Sequence, residues 1–175
     1  MTEGVLQTKD TRLYFGFTPD TSSSAALEVH AVACPTGIPE FSAGAKPRQD
    51  QTCLSSRTRQ YYDGLADPPE LAIPINFIPG SESHQALINA KARGSTLVMP
   101  WLVSMIDSQT APTTLDSDGY FNSPGPTTVG MKGYVSNFTI GAAVGEIWKG
   151  TLTIQLQLDD GDEDLNWDLP TATLP

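Results

Sequence analysis

The chain has 175 residues, enough for one domain with a sizeable core, and 20 acids against 10 bases give it a net charge of −10. Apolar residues make up 39% and charged residues 17%, and the 15 Gly and 14 Pro point to many loops, which excludes a helical bundle and a disordered chain. An acidic surface repels phosphates, so tight nucleic-acid binding is disfavoured, and no apolar run reaches membrane-spanning length, since Leu97 to Ile106 is broken by Pro100 and Ser104.

The first residues, Met1-Thr2-Glu3-Gly4, lack the basic and apolar regions of a signal peptide, so a reducing cytoplasm and free thiols at Cys34 and Cys53 are expected. Thr11 to Phe17 reads as a strand with Leu13, Phe15 and Phe17 on one face. Ala25 to Ala33 reads as a second, with Leu27, Val29 and Ala31 alternating against Glu28 and His30. Cys34 to Gln51 is a long loop with few large apolar residues beyond Ile38 and Phe41, and a loop of that length points to function or a partner. Thr52 to Tyr62 reads as a weakly buried strand, and Glu70 to Ile78, with Pro74 inside it, as an edge or bulged strand.

The pattern predicts one α-helix over about 82–93, after Pro79-Gly80 and a Ser81 or Ser83 cap. Glu82 sits near its positive end, Lys91 and Arg93 near its negative end, and Gly94 follows as the stop. Thr96 to Ile106 is the most hydrophobic strand, and Asp107 to Gly130 is a second long loop. Val135 to Ile140 and Thr151 to Leu158 form a last pair around Gly141 to Gly145. The second of these alternates without error: Leu152, Ile154, Leu156 and Leu158, with Trp148 before them, are candidate core, while Thr151, Thr153, Gln155 and Gln157 make an uncharged polar face. Such a face suits a surface that must be wet without gripping anything. The sum is a mainly β fold, an antiparallel β-sandwich or half-barrel with one flanking helix and two long loops, over residues 1–158. Residues 159–175 form an acidic segment, an ordered strap or a loose tail. Six acids between Asp159 and Asp168 lie in it, without which the body is at −4.

Chemistry-bearing constellations are weak. Asp160-Gly161-Asp162-Glu163-Asp164 starts like a calcium loop, but Leu165 stands at the glycine position and Thr171 at the glutamate position. Cys34, Cys53, His30 and His84 match no zinc spacing. No nucleophile elbow, metalloprotease or phosphate-loop motif occurs, and Asp116 with Asp118, or Glu28 with another acid, is a thin basis for glycoside hydrolysis. No enzyme, metal or cofactor is therefore expected. Asn137-Phe138-Thr139 is a formal glycosylation sequon without meaning in a cytoplasmic protein. Lys46, Arg48, Arg57 and Arg59 gather in and after the first loop while acids dominate the tail, a complementarity that would let identical copies meet head to tail.

Several motifs stand in a recognisable order. A strand ends in Pro79-Gly80. The helix carries Ser81-x-x-x-Gln85-Ala86-Leu87-x-x-Ala90, and a hydrophobic strand and a loop follow. The chain then runs through Gly133-Tyr134-Val135-Ser136-Asn137-Phe138-Thr139-Ile140 to Gly145-Glu146-Ile147-Trp148-Lys149-Gly150-Thr151-Leu152. From Thr11 to Leu158 this resembles the major tail tube protein of long-tailed, siphovirus-type bacteriophages, a fold shared with the type VI secretion tube protein and with tail completion proteins. The resemblance implies a structural virion protein assembled in the host bacterial cytoplasm as hexameric rings that stack into a tube for DNA. It implies tape-measure, terminator and distal tail proteins as partners, and no membrane. Within it, Lys46, Arg48, Gln49 and Asp50 fall on the loop expected to bridge successive rings, and Thr151, Thr153, Gln155 and Gln157 become candidates for a lumen or interface. The alternatives are a tail terminator or secretion tube protein of the same fold, and, from another class, a carbohydrate-binding β-sandwich using Trp101, Trp148 or Trp167.

Overall fold

The computed structural model describes residues 10–18, 27–42, 44–53, 57–65, 67–105, 110–125, 127–157 and 165–168. Among these the strands are β1 (Arg12–Phe17), β2 (Glu28–Ala31), β3 (Arg48–Asp50), β4 (Tyr61–Asp63), β5 (Glu70–Asn76), β6 (Met99–Ser104), β7 (Thr128–Gly141), β8 (Lys149–Leu156) and β9 (Asn166–Asp168), with one α-helix, α1 (Glu82–Arg93). Seven strands make one antiparallel sheet in the order β2-β1-β6-β7-β8-β5, with β9 also on β7. Strands β3 and β4 pair only with each other. Among the described residues no helix is long and apolar enough to cross a membrane.

Strand β7 is the spine. Its first half pairs with β6 from Thr128↔Ser104 to Gly133↔Met99, and its second half pairs with β8 from Gly133↔Leu156 to Gly141↔Lys149. Strand β9 takes Thr128 to Gly130 on the edge that β6 leaves free, so it resumes the line of β8 after the chain has left the sheet. Gly133 sits where β6, β7 and β8 meet, and a Cβ there would lie 2.4 Å from the carbonyl oxygen of Gln155, so only glycine fits. A bulge between Val135 and Asn137 bends β7 and curls the sheet. One face of the sheet packs against Ala86, Leu87 and Ala90 of α1, and the core there joins Leu13, Phe15, Ile73, Trp101, Met131 and Ile154 from five strands.

The helix has the predicted bounds, and Gly94 stops it with φ +55°. Ser81 starts it without a side-chain cap bond; its hydroxyl instead lies 2.9 Å from that of Ser83. His84 is fully buried at the helix start. Its Nε2–H donates to the Ala33 carbonyl at 3.0 Å, which sets the tautomer, and Nδ1 accepts the Ile78 N–H at 3.1 Å. It therefore ties α1 to the segment after β2. His84→Ala leaves both backbone groups unpaired and should cost about 2–4 kcal/mol, measured as a lower urea midpoint at unchanged slope. A midpoint equal to the parent's would show that water replaces the imidazole without loss.

Other expectations need correction. Among the described residues of Thr52 to Tyr62 only Tyr61 and Tyr62 lie in a strand, β4, because the Thr and Arg residues before them offer no apolar face. The loop 34–51 is not structureless, since it contains β3, the partner of β4. The strand expected over 135–140 begins at Thr128, inside the expected second loop, and runs to Gly141. Its first half is buried on both faces, which removes alternation: Tyr14, Leu102 and Phe121 form a second cluster on the side opposite the main core. The acidic segment carries β9 and the buried Leu165. Leu158 and the calcium-like run 160–164 lie outside the described residues. Strand β5 stands at the sheet edge, with Pro74 turning its proline nitrogen to the open side, where its carbonyl accepts the Thr36 N–H at 2.9 Å.

Candidate assembly surfaces

Three surfaces stand apart from the core. The first is the outer face of β5, β8 and the second half of β7. Register places Thr151 between Pro74 and Thr139, Thr153 between Ala72 and Asn137, and Gln155 between Glu70 and Tyr134. Leu152, Ile154 and Leu156 point the other way and are buried. Glu70 is the only charged residue in those rows, so the face is wet and nearly neutral. Thr151, Thr153 and Gln155 are half-buried and Gln157 is exposed. Gln155 has a further role: its Nε2 donates to the Pro68 carbonyl at 2.8 Å and clamps the chain entering β5. Gln157 continues the ladder by donating its N–H to the Lys132 carbonyl at 2.9 Å.

The second surface is the β3–β4 arm. An Ala45↔Asp67 bridge closes its base, the Gly64 N–H bonds the Pro47 carbonyl at 2.7 Å, and the Gln51 N–H bonds the Gln60 carbonyl at 2.9 Å. Six residue steps from Ala45 to Gln51 make it about 20 Å long. Arg48, Gln49 and Asp50, read as loop residues, therefore lie on β3, opposite Asp63, Tyr62 and Tyr61; all three are exposed, and Lys46 before them is half-buried. The Asp50 carboxylate accepts the Thr52 N–H at 2.9 Å and the Thr52 hydroxyl, and these bonds hold its pKa below the usual carboxylate range. Thr52 in turn accepts the Gln60 N–H at 3.1 Å, so the arm is fastened by its own polar groups. Arg57 and Arg59 are exposed beyond that point.

The third surface is the turn between β7 and β8, which sequence reasoning missed. All residues from Gly141 to Lys149 are exposed, Val144, Ile147 and Trp148 among them. Trp148, expected in the core, is 53% exposed. It shares the parity of Leu152, but β8 begins at Lys149 and the core does not reach so far along the sheet. The available signal is Val144 within the stretch Gly141 to Gly145 assigned to a turn, with Ile147 and Trp148 soon after it.

Groups considered for chemistry are dispersed. Asp116 is spent on its own turn, accepting the Asp118 and Tyr120 N–H groups at 3.0 and 2.8 Å. His30 lies 3.4 Å from Glu28, and Cys34 and Cys53 are free and exposed. Trp101, one of three residues considered for sugar, is fully buried and donates its indole N–H to the Gly133 carbonyl at 3.1 Å.

Residues 4–161 match the protein family described as phage tail tube, lambda-like. No curated protein matches the sequence. Two solved structures share the fold. A chain of the anti-feeding prophage baseplate, a six-fold-symmetrised cryo-EM structure, aligns with TM-score 0.62 at 11% identity, over 95% of this chain and 97% of that one. The SPP1 tail tube, a hybrid solid-state NMR and cryo-EM structure, aligns with TM-score 0.53 at 10% identity, over 94% of this chain and 81% of the other.

Proposed function

The chain belongs to the lambda-like phage tail tube family, structural proteins of the virion tail, and we propose that it forms hexameric rings that stack into a tube through which DNA passes. The observation that carries the stacking is the β3–β4 arm: a self-fastened hairpin with an apolar and basic surface, whose two strands pair with each other alone among the described residues. The six-fold symmetry stated for the similar baseplate supports six copies per ring. Growth by edge contacts also removes the open sheet edge at β2.

The outer face of β8 suits the channel. Thr151, Thr153, Gln155 and Gln157 bring no positive charge to a passing phosphate chain, so DNA finds nothing to grip and keeps moving. Tape-measure, terminator and distal tail proteins are the expected partners at the two ends, and assembly takes place in the host cytoplasm. A ring that ends a tube instead of extending it is the second reading, favoured by the likeness to a baseplate chain.

Cryo-electron microscopy of the full chain at high concentration separates these readings. Stacked rings of six with the β8 polar face toward the channel are expected. Single rings that never stack would favour the terminal ring, and a strictly monomeric chain would sink both.

A further inference from the structure

Resting on that reading, we infer that the β7–β8 turn of one copy is the seat for the β3–β4 arm of the next. Two apolar patches are exposed to water in the single chain. At the turn they are Val144, 106% exposed, with Ile147 and Trp148; Ile78 lies beside them, since the neighbouring Phe77 N–H bonds the Trp148 carbonyl at 2.8 Å. On the arm they are Tyr62, 66% exposed, with Tyr61 and Leu65, the last at 91%. Tyr and Trp anchors of this kind dominate interface energies, and exposed apolar clusters mark contact surfaces.

Their placement identifies the partner. The turn lies at the Lys149 end of β8, and the arm leaves the body at the other end, where Pro68 and Pro69 accept bonds from Gln155 and the Leu156 N–H. Seven residue steps separate the two ends, about 24 Å. Open stacking requires a heterologous contact between two different surfaces at opposite ends of a subunit, whereas one self-complementary patch closes into a dimer and stops. A second copy supplies both patches in equal number. The arm is basic on balance, with Lys46, Arg48, Arg57 and Arg59 against Asp50, Asp63 and Asp67, and the turn offers Glu146, with Glu82 at the nearby helix start. Among the described residues Glu146 pairs with Lys149, at 3.8 Å on the surface, a contact that gives way readily to arginine.

Two full-length variants test this: a turn variant (Val144→Ser, Ile147→Ser, Trp148→Ser) and an arm variant (Tyr61→Ser, Tyr62→Ser, Leu65→Ser). Each alone should keep the parent's circular dichroism and melting temperature and should fail to stack. Mixed in equal amounts, they should form pairs of rings that grow no further, because one intact turn meets one intact arm. A turn variant that grows tubes while the parent does so overturns the inference and leaves the tube reading standing, as does a mixture that stays unpaired. A parent chain that never stacks removes both. If the triple turn variant loses its fold, a cysteine pair decides: Tyr62→Cys with Val144→Cys, in a chain also carrying Cys34→Ser and Cys53→Ser. On oxidation of assembled tubes it should yield a ladder of linked copies, and monomers alone would overturn the inference.

Discussion

Replacing Trp101 with Ala is expected to lower the stability of the subunit by about 3–5 kcal/mol, the usual cost of emptying a buried tryptophan site. Trp101 has no exposed surface and lies at the centre of the sheet, paired with Phe15 on β1 and Met131 on β7. Its ring stands 5.3 Å from that of Phe15. Its indole N–H satisfies the carbonyl of Gly133, the residue at which β6, β7 and β8 meet. Alanine leaves a cavity and removes that donor in one step, and the flanking strands cannot close over the gap because the ladder holds them apart. Thermal unfolding should move down by about 10 °C or more for a chain of this size. Trp101→Phe keeps most of the volume and loses only the bond, so it should fall about 1–2 kcal/mol below the parent. If the alanine variant unfolds within 2 °C of the parent, Trp101 is not the centre of the core.

The second large effect concerns assembly and leaves the fold alone. Excising residues 48–63 and joining Pro47 to Gly64 through Asn-Gly should abolish stacking while changing subunit stability by no more than about 1 kcal/mol. The described residues in that stretch are exposed, and the Gly64 to Pro47 hydrogen bond can close the shortened hairpin. A cut over residues 40–50, inside the loop read from sequence, is the wrong one. It would remove Phe41, which packs against the main core, and would leave β4 without β3. Sedimentation of the shortened chain should show only unstacked species, with the circular dichroism of the parent. Tubes of normal length would mean that the arm does not bridge copies, and global unfolding would mean that the arm is part of the core.

How much could be read in advance follows from where periodicity survives. Strand β8 has one face on the core and one turned away from it, and its alternation is plain from Thr151 onward; β5, read only as an edge or bulged strand from Pro74, shows the same alternating burial in the structure. The helix was legible because its charges, its apolar stripe and Gly94 all agree with one boundary. The first half of β7 was not, because Phe121 and its neighbours cover the side facing away from the main core. The β3–β4 arm was hidden for the opposite reason: neither of its faces is buried, so its residues carry no hydrophobic signal and only backbone pairing defines it. Trp148 shows the limit most clearly. Parity along β8 places it on the inward face, yet parity says which way a side chain points and not whether anything lies above it. Local pattern is a property of neighbours in the chain, and it specified the strand faces and the helix. Cover comes from residues far apart in sequence, and it sorts inward-pointing side chains into core and contact surface.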